Sequence, residues 1–136
     1  MNIAWVEKTP VYGDLIRTKV RFYYHYGIFV SEQQVIQFGL PDDPMRPAEQ
    51  IQVLSSDIDA FLQGGEVEVA VPDGATRRQM RDADEIVRIA LSRMGEGGYD
   101  ILHNNCEHFV NDCAFGKPSS TFLQDVREKL RAKLGK

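Results

Sequence analysis

Only two cysteines occur in the 136 residues, Cys106 and Cys113. Placed seven residues apart on one helix, their Cα atoms would lie about 10.5 Å apart along its axis. A disulfide needs less than about 7 Å, so both are expected to stay free thiols, which suits a reducing compartment. Basic charge is not in excess either: 16 Lys and Arg stand against 20 Asp and Glu, for a net charge of -4. That balance argues against a nucleic-acid partner. No apolar run approaches the roughly 20 residues that span a bilayer, so no transmembrane segment is expected. The opening Met1-Asn2-Ile3-Ala4-Trp5-Val6-Glu7 lacks the basic start and apolar stretch of a signal peptide. The cytoplasm is the expected compartment. No internal repeat, low-complexity stretch or dividing linker is visible. What remains is an ordinary globular composition, 43% hydrophobic and 26% charged, long enough to bury a core without staples. A single domain over 1–136 is expected.

The clearest strand is expected over 23–30, Tyr23-Tyr24-His25-Tyr26-Gly27-Ile28-Phe29-Val30, rich in aromatic and β-branched residues and apolar on both faces. Side chains alternate, so His25 shares a face with Gly27 and Phe29. A second strand over 34–38 follows a short link, which predicts a hairpin. Tyr12-Gly13-Asp14 forms a corner feeding a strand over 15–18. Pro41, Pro44 and Pro47 rule out regular structure over 39–47, and a mobile loop at the rim of a site is expected there. Further strands are expected over 51–53 and 66–71, with one or two helical turns over 56–62 ended by Gly64-Gly65. A long helix is expected from Asp73 to about Met94, carrying an Asp84–Arg88 surface pair. After Gly95-Glu96-Gly97-Gly98, residues 99–102 read as an extended approach to a second helix over 106–115. Asn104 or Asn105 caps that helix, and Gly116 with Pro118 ends it. Its buried face is expected to hold Cys106, Phe109, Val110 and Cys113. A last amphipathic, locally basic helix is expected over 121–133. The elements describe an α+β fold, an antiparallel sheet packed against helices.

The chemistry concentrates in Asn104-Asn105-Cys106-Glu107-His108-Phe109-Val110. A cysteine that begins a helix meets free N–H groups and the positive end of the dipole. Such a place can lower a thiol by several pH units, and the same N–H groups can hold a tetrahedral oxyanion. Of three histidines, His108 lies about 200° around the helix from Cys106 and is a poor base. His103 sits in the approach and is expected to be exposed. His25, in a buried apolar strand, needs a reason to be there, and a strand packed on the Cys106 helix would present it to the sulfur. A working Cys–His pair needs a third group to orient the ring, and Gln37 on the adjacent strand can accept the ring N–H. The plainer readings stay open at this level. A cysteine on an apolar helix face is more often core than catalyst, and a buried histidine is more often structural. A metal site from His103, Cys106, His108 and Cys113 matches none of the usual zinc spacings. No metal and no cofactor are expected.

Tyr24-His25-Tyr26-Gly27-Ile28-Phe29-Val30 and Asn105-Cys106-Glu107-His108-Phe109-Val110, with Gly13-Asp14-Leu15-Ile16 and Gly116, resemble the lecithin:retinol acyltransferase-like family. The resemblance runs from about Tyr12 to Ser120. It implies a permuted branch of the NlpC-type, papain-like thiol hydrolases, in which the histidine precedes the cysteine. It implies Cys106 as nucleophile, His25 as base and Gln37 as the polar third member. Better-known animal members often have histidine at that third position, and this sequence departs there. Glutamine can orient the ring but cannot carry charge or relay a proton. The resemblance further implies acyl transfer or ester hydrolysis on lipids through a thioester. An amidase or peptidase of the wider superfamily and an inactive binding module are the alternatives. Many members carry a C-terminal membrane anchor; none is expected here after Lys136, and the basic last helix is expected to touch an anionic surface weakly at most.

Overall fold

The computed structural model describes residues 2–116 apart from Phe22 and Pro44. The expected helix over 121–133 lies outside the described residues. Six strands form one antiparallel sheet: β1 (Ile3–Val6), β2 (Leu15–Val20), β3 (Tyr23–Ser31), β4 (Gln34–Phe38), β5 (Val53–Ser56) and β6 (Glu68–Pro72). Their spatial order is β1-β6-β2-β3-β4-β5. Four helices accompany them: α1 (Ile58–Leu62), α2 (Gly74–Gln79), α3 (Ala83–Ser92) and α4 (Cys106–Phe115). The α+β architecture expected from the sequence is the one observed.

The two local hairpins follow from the pattern. β2 pairs with β3 in continuous register from Leu15↔Ile28 to Val20↔Tyr23. β3 pairs with β4 through Gly27↔Gln37, Ile28↔Ile36 and Phe29↔Val35. Alternation then sorts the side chains between two cores. Leu15, Ile28, Ile36 and Phe38 pack with Phe109 and Val110 of α4. Ile16, Phe29, Val35 and Val69 pack with Phe61 of α1. Phe61 and Phe109 are both fully buried, each contributing about 1.5–3 kcal/mol. Gly27 lies beneath Phe61, where an added Cβ would come within 2.7 Å of the ring.

Each helix starts on an Asp or Asn whose side chain accepts the N–H three residues on: Asp57 from Ala60, Asp73 from Thr76, Asp82 from Glu85 and Asn105 from His108. This corrects the single helix expected from Asp73 to Met94. The chain breaks there instead, with Met80 extended and Asp82 capping α3. The break frees Arg81, whose Nη1 donates to the carbonyls of Asp112 and Cys113 at 2.8 and 2.9 Å. A cation at the C-terminus of α4 is favoured by the dipole as well as by the bonds. Three smaller expectations also shift. The strand expected over 51–53 begins at Val53 and runs to Ser56. Residues 99–102 do not run extended; Asp100 bridges Asn104 around a turn. Arg88 forms no ion pair with Asp84 among the described residues, whose salt bridges involve Arg17, Arg46, Arg93 and His103.

Candidate active site

Helix α4 begins where expected, and Asn105 is the cap. Its Oδ1 accepts from the N–H of Glu107 and of His108, both at 3.0 Å. His108 turns back to the cap rather than toward the sulfur: its Nδ1 accepts the Asn105 N–H at 3.2 Å. Cys106 is thereby fixed at the first position of the helix, 6% exposed. Its expected neighbours Phe109, Val110 and Cys113 are buried, and so are His108, Asn111 and Ala114. Both cysteines are free thiols.

His25 is 4% exposed and Gln37 fully buried. Both lie on the α1 face of the sheet, on adjacent strands. The imidazole sits 5.1 Å from the Phe61 ring. Its Nε2 is 3.0 Å from Gln37 Oε1. The amide's polarity follows from its other contacts: Gln37 Nε2 donates to the Val35 carbonyl at 3.2 Å and to Ser56 Oγ at 2.8 Å. The oxygen therefore faces the ring and accepts from Nε2–H. The remaining nitrogen, Nδ1, is left with its lone pair.

Cys106 belongs to the α4-side core while His25 points to the α1 side, and the sheet opens between β3 and β4 near both. The β3–β4 ladder stops at Gly27↔Gln37, because β4 ends at Phe38 and Gly39 turns away at φ 86°. Phe29 exchanges main-chain bonds with residues 13 and 14 on the β2 side. By alternation the Tyr26 N–H faces the other side, where β4 has left. It faces the Cys106 sulfur there, where it favours the thiolate. Cys106 and His25 line one cavity of about 570 Å³. Its walls include Phe38, Leu40, Ile51 and Tyr99. Pro41, Asp43 and Arg46 of the proline-containing loop line it, as expected. On the other side the lining comes from Tyr99 and Ile101.

The electrostatics differ from the sequence expectation. Burial pushes the Cys106 thiol up to about 11, outweighing the main-chain N–H groups of Tyr26, Cys106 and Glu107 that favour the thiolate. Burial holds His25 down to about 4, against the Gln37 bond that favours its protonation. The helix start alone does not make a thiolate here. Both shifts favour the neutral forms, a thiol and an imidazole, at neutral pH. His103 is exposed, paired with Asp100 at 3.3 Å. Among the described residues no three His, Cys, Asp or Glu side chains gather to hold a metal ion, and no helix is long and apolar enough to cross a membrane. The Tyr26 main-chain N–H and Ser56 were not legible in the sequence. A main-chain donor leaves no mark on residue type, and Ser56 gains its place only through the β4–β5 register, Val35↔Ser56.

Comparison with known proteins agrees with the resemblance in the two motifs. Mouse lecithin retinol acyltransferase is 29% identical over 126 residues, covering 78% of this chain and 54% of that protein. The human lecithin retinol acyltransferase is 28% identical, with 88% and 62% covered. Human phospholipase A and acyltransferase 3 is 29% identical over 127 residues, covering 86% of this chain and 78% of that protein. The chain thus spans 54 to 62% of the length of these two lecithin retinol acyltransferases. The lecithin retinol acyltransferase family model matches residues 8–119, which contain both motifs and every residue of the candidate site, and the chain belongs to that family.

Proposed function

We propose that this protein transfers or hydrolyses acyl groups of lipid-type esters through a thioester on Cys106. The observation that carries the reading is the shared cavity: a helix-start thiol and a histidine whose Nε2–H is held by Gln37 open onto the same apolar space. The names of the relatives, lecithin retinol acyltransferase and phospholipase A and acyltransferase, support the substrate class. A cavity of about 570 Å³ lies within the range of small-molecule sites.

Nδ1 of His25 takes the thiol proton as Sγ bonds to the carbonyl carbon. Because the resting pair is neutral, this proton moves with the attack. The oxyanion forms near the Cys106 N–H at the start of α4, since the Asn105 cap takes the N–H groups of Glu107 and His108. Collapse breaks the ester C–O bond, and the leaving alkoxide takes the proton back from Nδ1. Water or an acceptor hydroxyl then gives its proton to Nδ1 and attacks the thioester carbonyl, and Cys106 leaves and is reprotonated. Gln37 keeps the ring in one tautomer and offers its carbonyl to the imidazolium throughout.

Intact-protein mass spectrometry with phosphatidylcholine, simple acyl esters and peptide amides tests this. An acyl mass on Cys106 from ester donors is expected, and Cys106→Ser should cut turnover by at least about 10³-fold. Undiminished turnover by that variant would sink the assignment. Adducts from amides alone would move the protein to the amidase or peptidase class. No adduct from any donor would leave a binding module.

A further inference from the structure

We propose that Ser56 is a positioning residue for His25, acting through Gln37. The inference rests on the reading of His25 as the base for Cys106. A glutamine amide has two ends of the same shape and opposite hydrogen-bonding sense. Turned over, Gln37 would present N–H groups to the imidazole, Nε2 would have to accept, and the ring proton would move to Nδ1. Nδ1 would then have no lone pair for the thiol proton. A histidine in the third position faces no such choice between an oxygen and an NH₂ group, so this sequence needs a device that a histidine would not.

The device is a chain of fixed sense that begins at α1. The Asp57 carbonyl can only accept, and it receives Ser56 Oγ–H at 2.9 Å. It also receives the Phe61 N–H at 3.2 Å, and the Asp57 side chain holds the Ala60 N–H at 2.8 Å. The first turn of α1 therefore fixes it. A serine hydroxyl has one proton. With that proton committed to Asp57, Oγ can only accept from Gln37, at 2.8 Å. The end of the amide at Ser56 must be the NH₂ group, and the Val35 carbonyl at 3.2 Å agrees. The oxygen is then left for His25 Nε2–H at 3.0 Å. The polarity of one carbonyl at a helix start thus sets the tautomer of an imidazole two side chains away. The same short helix also lays Phe61 against the imidazole.

The test compares Ser56→Ala and Ser56→Thr with the wild type, by two readouts. Nitrogen-15 NMR of the His25 ring reports where the proton sits in the resting protein, without any substrate. Single-turnover acylation of Cys106 by an acyl ester reports its use. The wild type is expected to hold the proton on Nε2. Ser56→Ala should show a mixture with Nδ1–H and acylate about 3–10-fold more slowly, with KM unchanged. Ser56→Thr, which keeps the hydroxyl, should restore both. A pure Nε2–H ring and wild-type acylation in Ser56→Ala would overturn the proposal, and so would a Ser56→Thr protein as impaired as Ser56→Ala. If the wild type never acylates Cys106, the reaction proposed above fails while the tautomer shift still decides this one.

Discussion

Burial sets the chemistry of both partners at the scale of the residue. A thiol raised to about 11 and an imidazole lowered to about 4 do not exchange a proton at neutral pH. Alkylation of Cys106 by iodoacetamide should therefore climb about tenfold per pH unit from pH 7 to 9. Mass spectrometry of the two thiol peptides across that range measures it. A plateau below pH 8 would instead mark a preformed thiolate–imidazolium pair. The sequence pointed to Cys106, His25 and Gln37 because each stands in a motif or a periodic pattern. It pointed the wrong way on the thiol because a helix start is visible in sequence and desolvation is not. Depth depends on Phe38, Leu40, Ile51 and Tyr99 closing around the cavity, and those residues are scattered over the chain.

Caps decide most boundaries at the scale of the element. The limits of α4 were legible because Asn105 and Gly116 bracket an apolar run, and the β3–β4 hairpin was legible from its alternation. The break between α2 and α3 was not read, since Met80, Ala83 and Val87 keep helical spacing across it. Asp82 carries the missed signal, a cap three residues before Glu85 whose side chain takes the Glu85 N–H at 2.9 Å. Asp82→Ala should cost about 1 kcal/mol in a urea unfolding curve, and Asp82→Asn much less. The break has a use that no local pattern records: it turns Arg81 onto the C-terminal carbonyls of α4. The turn at Asp100 leaves no local pattern either, since its bridge to Asn104 is made by main-chain bonds of 3.0 and 2.8 Å.

The buried ionisable groups give the whole molecule a window of stability. An unfolded chain protonates His25 near 6.5, while the folded site resists until about 4. Stability is full above about 6.5 and falls as the pH drops toward 4, by at most about 3 kcal/mol from this group. His108, lowered chiefly by burial, acts in the same direction. On the alkaline side Cys106 and Cys113, held up to about 11 and 12, ionise first in the unfolded chain, so stability falls above about pH 9. Urea midpoints from pH 3.5 to 10 measure both limbs. His25→Gln should flatten the acid limb relative to the wild type, and equal slopes would refute the assignment. The gap that opens where β4 leaves β3 has a consequence of another kind. Most main-chain protons in the middle of a sheet are locked to a neighbouring strand and report only on unfolding. The Tyr26 amide instead faces the Cys106 sulfur, so its exchange with solvent deuterium and its resonance should report on the state of the thiol. The fold has placed a probe of that thiol in its own backbone.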